Sequence, residues 1–252
     1  MIATFIFYVI FAALSVILPI IATGKLRKRF KGEIKNFKYG IVVYILFSVV
    51  LSNLVLKAVG KTSLLIEVIL NTLCIGIGLL VWLKFVAKKS EGIGDCLLFG
   101  TGFGTGLTIF RYFIAAVESA VISFIAVIGK DLTAHKIYGG VAQRVQENDP
   151  YTVFLNMLEM VFFAVLSISV AVIFYRVILC NAKKRWIAVG IIINALGYIL
   201  ISAKDLKFYK ELLAFLHGTD KIFVLLLGVT AVIGAGAAYS LVFPYKKKEK
   251  TE

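Results

Sequence analysis

Histidine is almost missing from this 252-residue chain, with only His135 and His217 present. Neither has an acid at the spacing of zinc ligands, and no HExxH occurs, so metal-assisted hydrolysis has no visible ligand set. No GxSxG motif and no pair of aspartates within an apolar segment occurs either. Cysteine is limited to Cys74, Cys96 and Cys180, none in a CxxC pair and all in or at the ends of apolar segments. They are expected to be small buried hydrophobes, not a disulfide framework. Charged residues are 17% of the chain, against about 25% in a soluble protein, which excludes a disordered or solvated-helix class. Three prolines exclude a collagen-like chain.

Apolar side chains take the vacated share. They make up 60% of the sequence, more than a globule of this size can hide from water, given about 45–50% in soluble domains. The expected class is all-α: a polytopic transmembrane helix bundle. A hydrocarbon core about 30 Å thick needs about 20 apolar residues per helix. Segments 2–23, 39–59, 63–87, 96–129, 153–180, 187–203 and 222–244 meet that need, the sixth only just, so about seven spans are expected. The fourth is long enough to be strongly tilted, broken or extended along the interface. The sequence divides into one transmembrane domain over 1–244 and a basic tail over 245–252, with Pro150 expected to open the fifth span and Pro244 to close the seventh.

The net charge of +14 sits between the apolar segments, so it reports topology and not nucleic-acid binding. The first segment lacks a basic leader and is followed by Lys25, Arg27, Lys28 and Arg29, the reverse of a cleaved signal, so a retained helix is expected. With the N-terminus outside, the inner side collects the 25–38 cluster, Lys84, Lys88, Lys89, Arg176, Lys183, Lys184, Arg185 and the lysines of the tail. The bias is about two to one and favours N-outside, C-inside. The outer stretches are 130–152 and 204–221, and 204–216 has the periodicity of a helix lying on the interface.

Ionisable groups inside spans cost about 2.5–3.5 kcal/mol on insertion scales and require an explanation. Four occur: Glu67, Arg111, Glu118 and Glu159. Arg111 and Glu118 are i,i+7 and share a face of a continuous helix; Glu67 and Asn71 share another. Arg111 is expected near an acid, Glu118 or Glu159, or near a cluster of backbone carbonyls. Gly100, Gly102, Gly104 and Gly106 form two interleaved GxxxG pairs that permit close helix approach, with Gly76 and Gly78 as expected counterparts. No Lys-Ser/Thr follows, so a phosphate-cradling loop is not indicated. No cofactor is implied. The expected partners are the lipid bilayer and another membrane protein or transmembrane helix, with no nucleic acid.

The order of features resembles the YhfC family of intramembrane proteases over most of the chain. The likeness lies in KLRKRF after the first helix, PheLysTyrGly leading the second, the passage from Lys88 to Gly104, the 150–159 stretch and AsnAlaLeuGlyTyr at 194–198. It implies a bacterial cytoplasmic-membrane peptidase scaffold, with paired glutamates and an arginine on the third helix, a histidine and a glutamate in the glycine run, and a histidine on the sixth. In this chain the paired glutamates fall on Ile75 and Gly76, the arginine on Leu79, the fourth-helix groups on Phe103 and Leu107, and the sixth-helix histidine on Asn194. Glu159 keeps an acidic family position, followed by Met160 where a basic residue is expected. The resemblance further implies that Ile75, Phe103, Leu107 and Asn194 line one interior region.

Three functions compete. One is an inactive, protease-like protein that binds a membrane partner. Another is an active protease using Glu67, Glu118, Glu159 and Asn194, and the third is a small transporter component with Arg111, Glu118 and Glu159 along a pathway. Without titratable groups at the implied positions, general acid–base chemistry has no agent there, which favours the first. On this topology, a reporter fused after Glu252 is expected to register on the cytoplasmic side; a signal from the outer side overturns it.

Overall fold

The computed structural model describes residues 2–60, 64–85, 92–127, 149–203 and 219–248. Among the described residues there is helix and no strand. Seven rods follow in order: α1 (Ile2–Phe30), α2 (Ile34–Val59), α3 (Leu64–Phe85), α4 (Ile93–Val127), α5 (Pro150–Leu179), α6 (Arg185–Ala203) and α7 (Thr219–Lys248). Six are long and apolar enough to cross a membrane; α6 carries a shorter apolar stretch, Arg185–Ile201. The fourth rod is continuous, with its backbone loosened into π-helix over Thr108–Phe113, and α2 is loosened likewise over Tyr44–Leu51. His135, His217, the 204–216 stretch and most of 130–152 lie outside the described residues.

The surface pattern is inverted relative to a soluble bundle. On α1 the inward positions are Thr4, Tyr8, Phe11 and Ser15, spaced by three and four, while Ile2, Ile6, Val9, Ile10, Ile17 and Leu18 face outward. In water that arrangement would expose a large apolar patch; against lipid tails it costs nothing. The inward hydroxyl of Ser15 donates to the Ala12 carbonyl at 2.7 Å, and Thr23 donates to the Pro19 carbonyl at 2.7 Å, so neither needs water. The chain is a multi-pass membrane protein.

α5 is the central rod and packs against α1, α3, α4, α6 and α7. Its last half, Ser169–Val177, is buried all round. Pro150 stands at its first turn, where a missing N–H is harmless, and the Asp149 carboxylate caps the helix by accepting from the Thr152 N–H at 2.7 Å. That bond, with one from the Thr152 side chain, holds the Asp149 carboxyl below the usual range.

The glycine run of α4 is placed between two neighbours. A side chain on Gly100 or Gly104 would strike Ile168 of α5, whereas one on Gly102 would strike the Phe37 backbone and one on Gly106 the Tyr44 ring, both on α2. The glycine that meets the run is Gly40, which lies on the backbone of Phe99 and Gly102. This corrects the pairing expected with α3: Gly78 lies against the Phe47 ring of α2, and Gly76 has open space. A second close approach lies at the helix ends, where Gly32 abuts Gly94 and the Glu33 N–H donates to Asp95 Oδ1 at 2.6 Å.

Three boundaries differ from the sequence expectation. α1 runs on to Phe30, so Lys25, Arg27, Lys28 and Arg29 ride on the helix and not in a loop. Cations are stabilised against the carbonyls of a last turn, and water at the interface solvates them. Arg176, counted among the inner loops, is instead buried in α5, where its Nη2 donates to the Leu241 carbonyl of α7 at 3.3 Å. α7 continues through Pro244 to Lys248, because a proline removes only one backbone donor and a neighbouring turn at an interface can be hydrated.

The glycine packing yields a paired test. Gly102→Ala places a methyl into the Phe37 backbone and is expected to destabilise the bundle by about 1–3 kcal/mol, the usual cost of overpacking. Gly236→Ala meets open space and is expected to leave thermal unfolding in detergent unchanged or slightly improved.

Candidate functional site

The two π-helical stretches lead to the same place. α2 supplies Tyr44 and Ser48, and α4 supplies Arg111 and Tyr112. π-Bulges add a residue to a turn, widen it, and occur often at functional sites. α5 adds Glu159 and Phe163, and α6 adds Tyr198. Arg111 stands about 27 Å along α4 from Ile93 and about 24 Å from Val127, so the cluster is in the middle of the rod.

Glu159 is buried at 6% exposure. Its Oε1 accepts from the Tyr112 hydroxyl at 3.0 Å. The Arg111 guanidinium carbon lies 5.5 Å from the Phe163 ring centre and 6.0 Å from that of Tyr112, within cation–π range. Arg111 also feels the charge or dipole of Tyr198, Glu159 and Tyr44. Ser48 lies beside both the Tyr44 and Tyr198 hydroxyls. Aromatic edges close the cluster: Phe163 meets Tyr198 at 5.3 Å and Tyr44 meets Phe103 at 5.4 Å, both T-shaped. One carboxylate, one guanidinium and three phenols thus share a compact region. Despite these neighbours, the Arg111 side chain stays exposed at the bundle surface. Tyr44, Tyr112, Glu159, Phe163 and Tyr198 are buried, so Arg111 is the ionised member that reaches the bundle surface.

The other intramembrane groups stand apart from it. Glu118 is exposed on the C-terminal half of α4, and Glu67 is exposed near the start of α3. Of the two acids expected beside Arg111, the one in the cluster is Glu159. Asn71, expected to share a face with Glu67, accepts from the Ser52 hydroxyl of α2.

The positions that the family resemblance marks are all interior. Ile75, Leu79, Phe103 and Leu107 belong to one continuous buried core, with Phe103 at 2% exposure. Gly76, Asn194 and Met160 are buried as well, and Asn194 lies one turn before Tyr198 on α6. Apolar side chains in such an interior accept no proton and orient no water. Among the described residues, no group of three or more His, Cys, Asp or Glu could hold a metal ion. Cys74 and Cys96 are buried and Cys180 partly so, all as free thiols.

Sequence reasoning singled out Arg111 and Glu159 but not Tyr44, Ser48, Tyr112 or Tyr198. A signal was present. Each tyrosine stands in the middle of an apolar run, where a phenol needs a partner for its hydroxyl.

Fold and site together define a polytopic helix bundle with a largely buried Arg–Glu–Tyr cluster whose arginine reaches the bundle surface. Comparison with protein-family models, with curated proteins and with solved structures finds no match to this chain.

Interhelical hydrogen bonds in membranes average about 0.6 kcal/mol, with a maximum of about 1.7. Tyr112→Phe is expected to destabilise by that order. The same change in a Glu159→Ala background should cost less, because the acceptor has already gone. Equal costs in both backgrounds, measured by unfolding in detergent, would show that the bond contributes nothing.

Proposed function

We propose that the chain is a catalytically inactive, YhfC-like membrane protein that binds a transmembrane helix of another protein along the outer half of α4. The observation that carries this reading is the exposure of Arg111 and Glu118, seven residues apart on one rod, alongside exposed Ile114, Val117 and Val121. A charge that faces hydrocarbon costs about 2.5–3.5 kcal/mol on insertion scales. A partner helix with an acid at the depth of Arg111 and a base or amide at the depth of Glu118 removes that cost. A second copy does not. Parallel copies about a two-fold axis put Arg111 opposite Arg111 and Glu118 opposite Glu118, and the basic bias of the loops opposes an antiparallel copy.

The resemblance supports the lineage, and the residues at its marked positions support the loss of chemistry. Ile75, Leu79, Phe103 and Leu107 are packed hydrocarbon, and Glu159 is engaged by Tyr112. The loop charges support an N-terminus outside a bacterial cytoplasmic membrane and a tail inside it. Binding without turnover follows: the Arg–Glu–Tyr cluster fixes the guanidinium from behind, and the open side reads the partner.

A photo-crosslinker at Ile114 tests the reading in cells. It is expected to capture an integral membrane protein, and Arg111→Leu is expected to cut the yield at least several-fold while leaving accumulation of the chain intact. Helical substrates incubated with the purified chain should stay uncut. Crosslinking unchanged by Arg111→Leu overturns the docking face. Cleavage abolished by Glu159→Gln overturns the inactive reading.

A further inference from the structure

We infer that the groove bounded by α1, α5 and α7 seats an acyl chain of an anionic phospholipid, with Arg29 at its mouth holding the phosphate. Two adjoining cavities of about 410 and 250 Å³ share Val165 and Ile168 of α5. The first begins at Arg29 and Phe30 and runs along Val172 and Ala238; the second continues past Pro19 and Gly104 to Met160. Along α5, Val172 to Met160 is about 18 Å, close to one leaflet of a hydrocarbon core about 30 Å thick. The walls are mainly aliphatic, with α4 also lining both cavities, and the hydroxyls of Thr101, Thr105, Thr108 and Ser169 donate to carbonyls of their own helices. Among the described residues no acid lines either cavity and Arg29 is the one charge.

Charge and length select the occupant. Arg29 is exposed in the last turn of α1 beside exposed Lys25, Arg27 and Lys28. The nearby acids are engaged elsewhere: Glu33 pairs with Lys35, and Asp95 accepts from the Glu33 N–H. A guanidinium presents a planar fork that matches two phosphate oxygens. The apolar run is about one leaflet long and ends at a single cation, which matches one acyl chain beneath one anionic headgroup. A soluble anion would occupy only the mouth and leave the apolar run empty. A phospholipid matches both ends.

The test is thermal unfolding of the purified full chain in nanodiscs of phosphatidylcholine, with and without phosphatidylglycerol. Phosphatidylglycerol is expected to raise the Tm of the native chain and of Arg29→Lys. The increment should vanish in Arg29→Ala, which removes the phosphate contact, and in Ala235→Trp, which fills the groove. Lys28→Ala should retain it. Equal Tm values in the two lipids, or an increment that survives in either Arg29→Ala or Ala235→Trp, overturns the proposal. So does soluble glycerol phosphate reproducing the increment, which would assign a bare anion site, or a photo-crosslinker at Ala235 that captures a polypeptide and no lipid.

Discussion

Everything in this bundle depends on how near α2 and α5 come to the backbone of α4. Between lipid-facing helices there is no hydrophobic drive, because tails solvate leucine as well as leucine does. Association then rests on contact, and contact at short range needs small residues. The run Gly100–Gly106 serves two neighbours at once, with Gly100 and Gly104 turned to α5 and Gly102 and Gly106 to α2. Gly106 is also where Tyr44 lies against α4. The same close approach that holds the helices together thus places the first phenol of the polar cluster.

That cluster shows how a membrane interior handles charge. Glu159 is not paired by a single contact but by a phenol bond and a nearby guanidinium, and the guanidinium lies against ring faces. Local loosening of α2 and α4 supplies the geometry, since a regular helix presents neighbours at fixed spacing and cannot turn Tyr44, Ser48, Arg111 and Tyr112 together so readily. Arg111 thus has ring faces and an acid on its bundle side, and the proposed partner helix would meet it from the other side.

The two proposed surfaces lie on different parts of the molecule and on different physics. The C-terminal half of α4 offers charge in a low-dielectric setting, where a complementary helix would gain most. The α1–α5–α7 groove offers apolar volume with one cation at the aqueous end. The first selects a protein by electrostatics, and the second a lipid by shape and headgroup.

Much of the fold was legible in the chain itself. Seven apolar runs and the position of Pro150 are local properties, and each helix satisfies its own backbone wherever it ends up. Arg111 and Glu159 were legible too, because a charge in an apolar run stands out without any knowledge of neighbours. Helix ends were less so: α1 carries its cations past the expected stop, and α7 passes through Pro244, since interfacial water tolerates either outcome. What only the tertiary structure decided is who meets whom. Nothing in the spacing of Gly100–Gly106 says that α2 and Gly40, and not α3 with Gly76 and Gly78, fill that surface. Nothing in the mid-span tyrosines says that Tyr44, Tyr112 and Tyr198 surround one arginine. Packing between helices is set by the shapes of two surfaces jointly, and a sequence read one helix at a time contains only one of them.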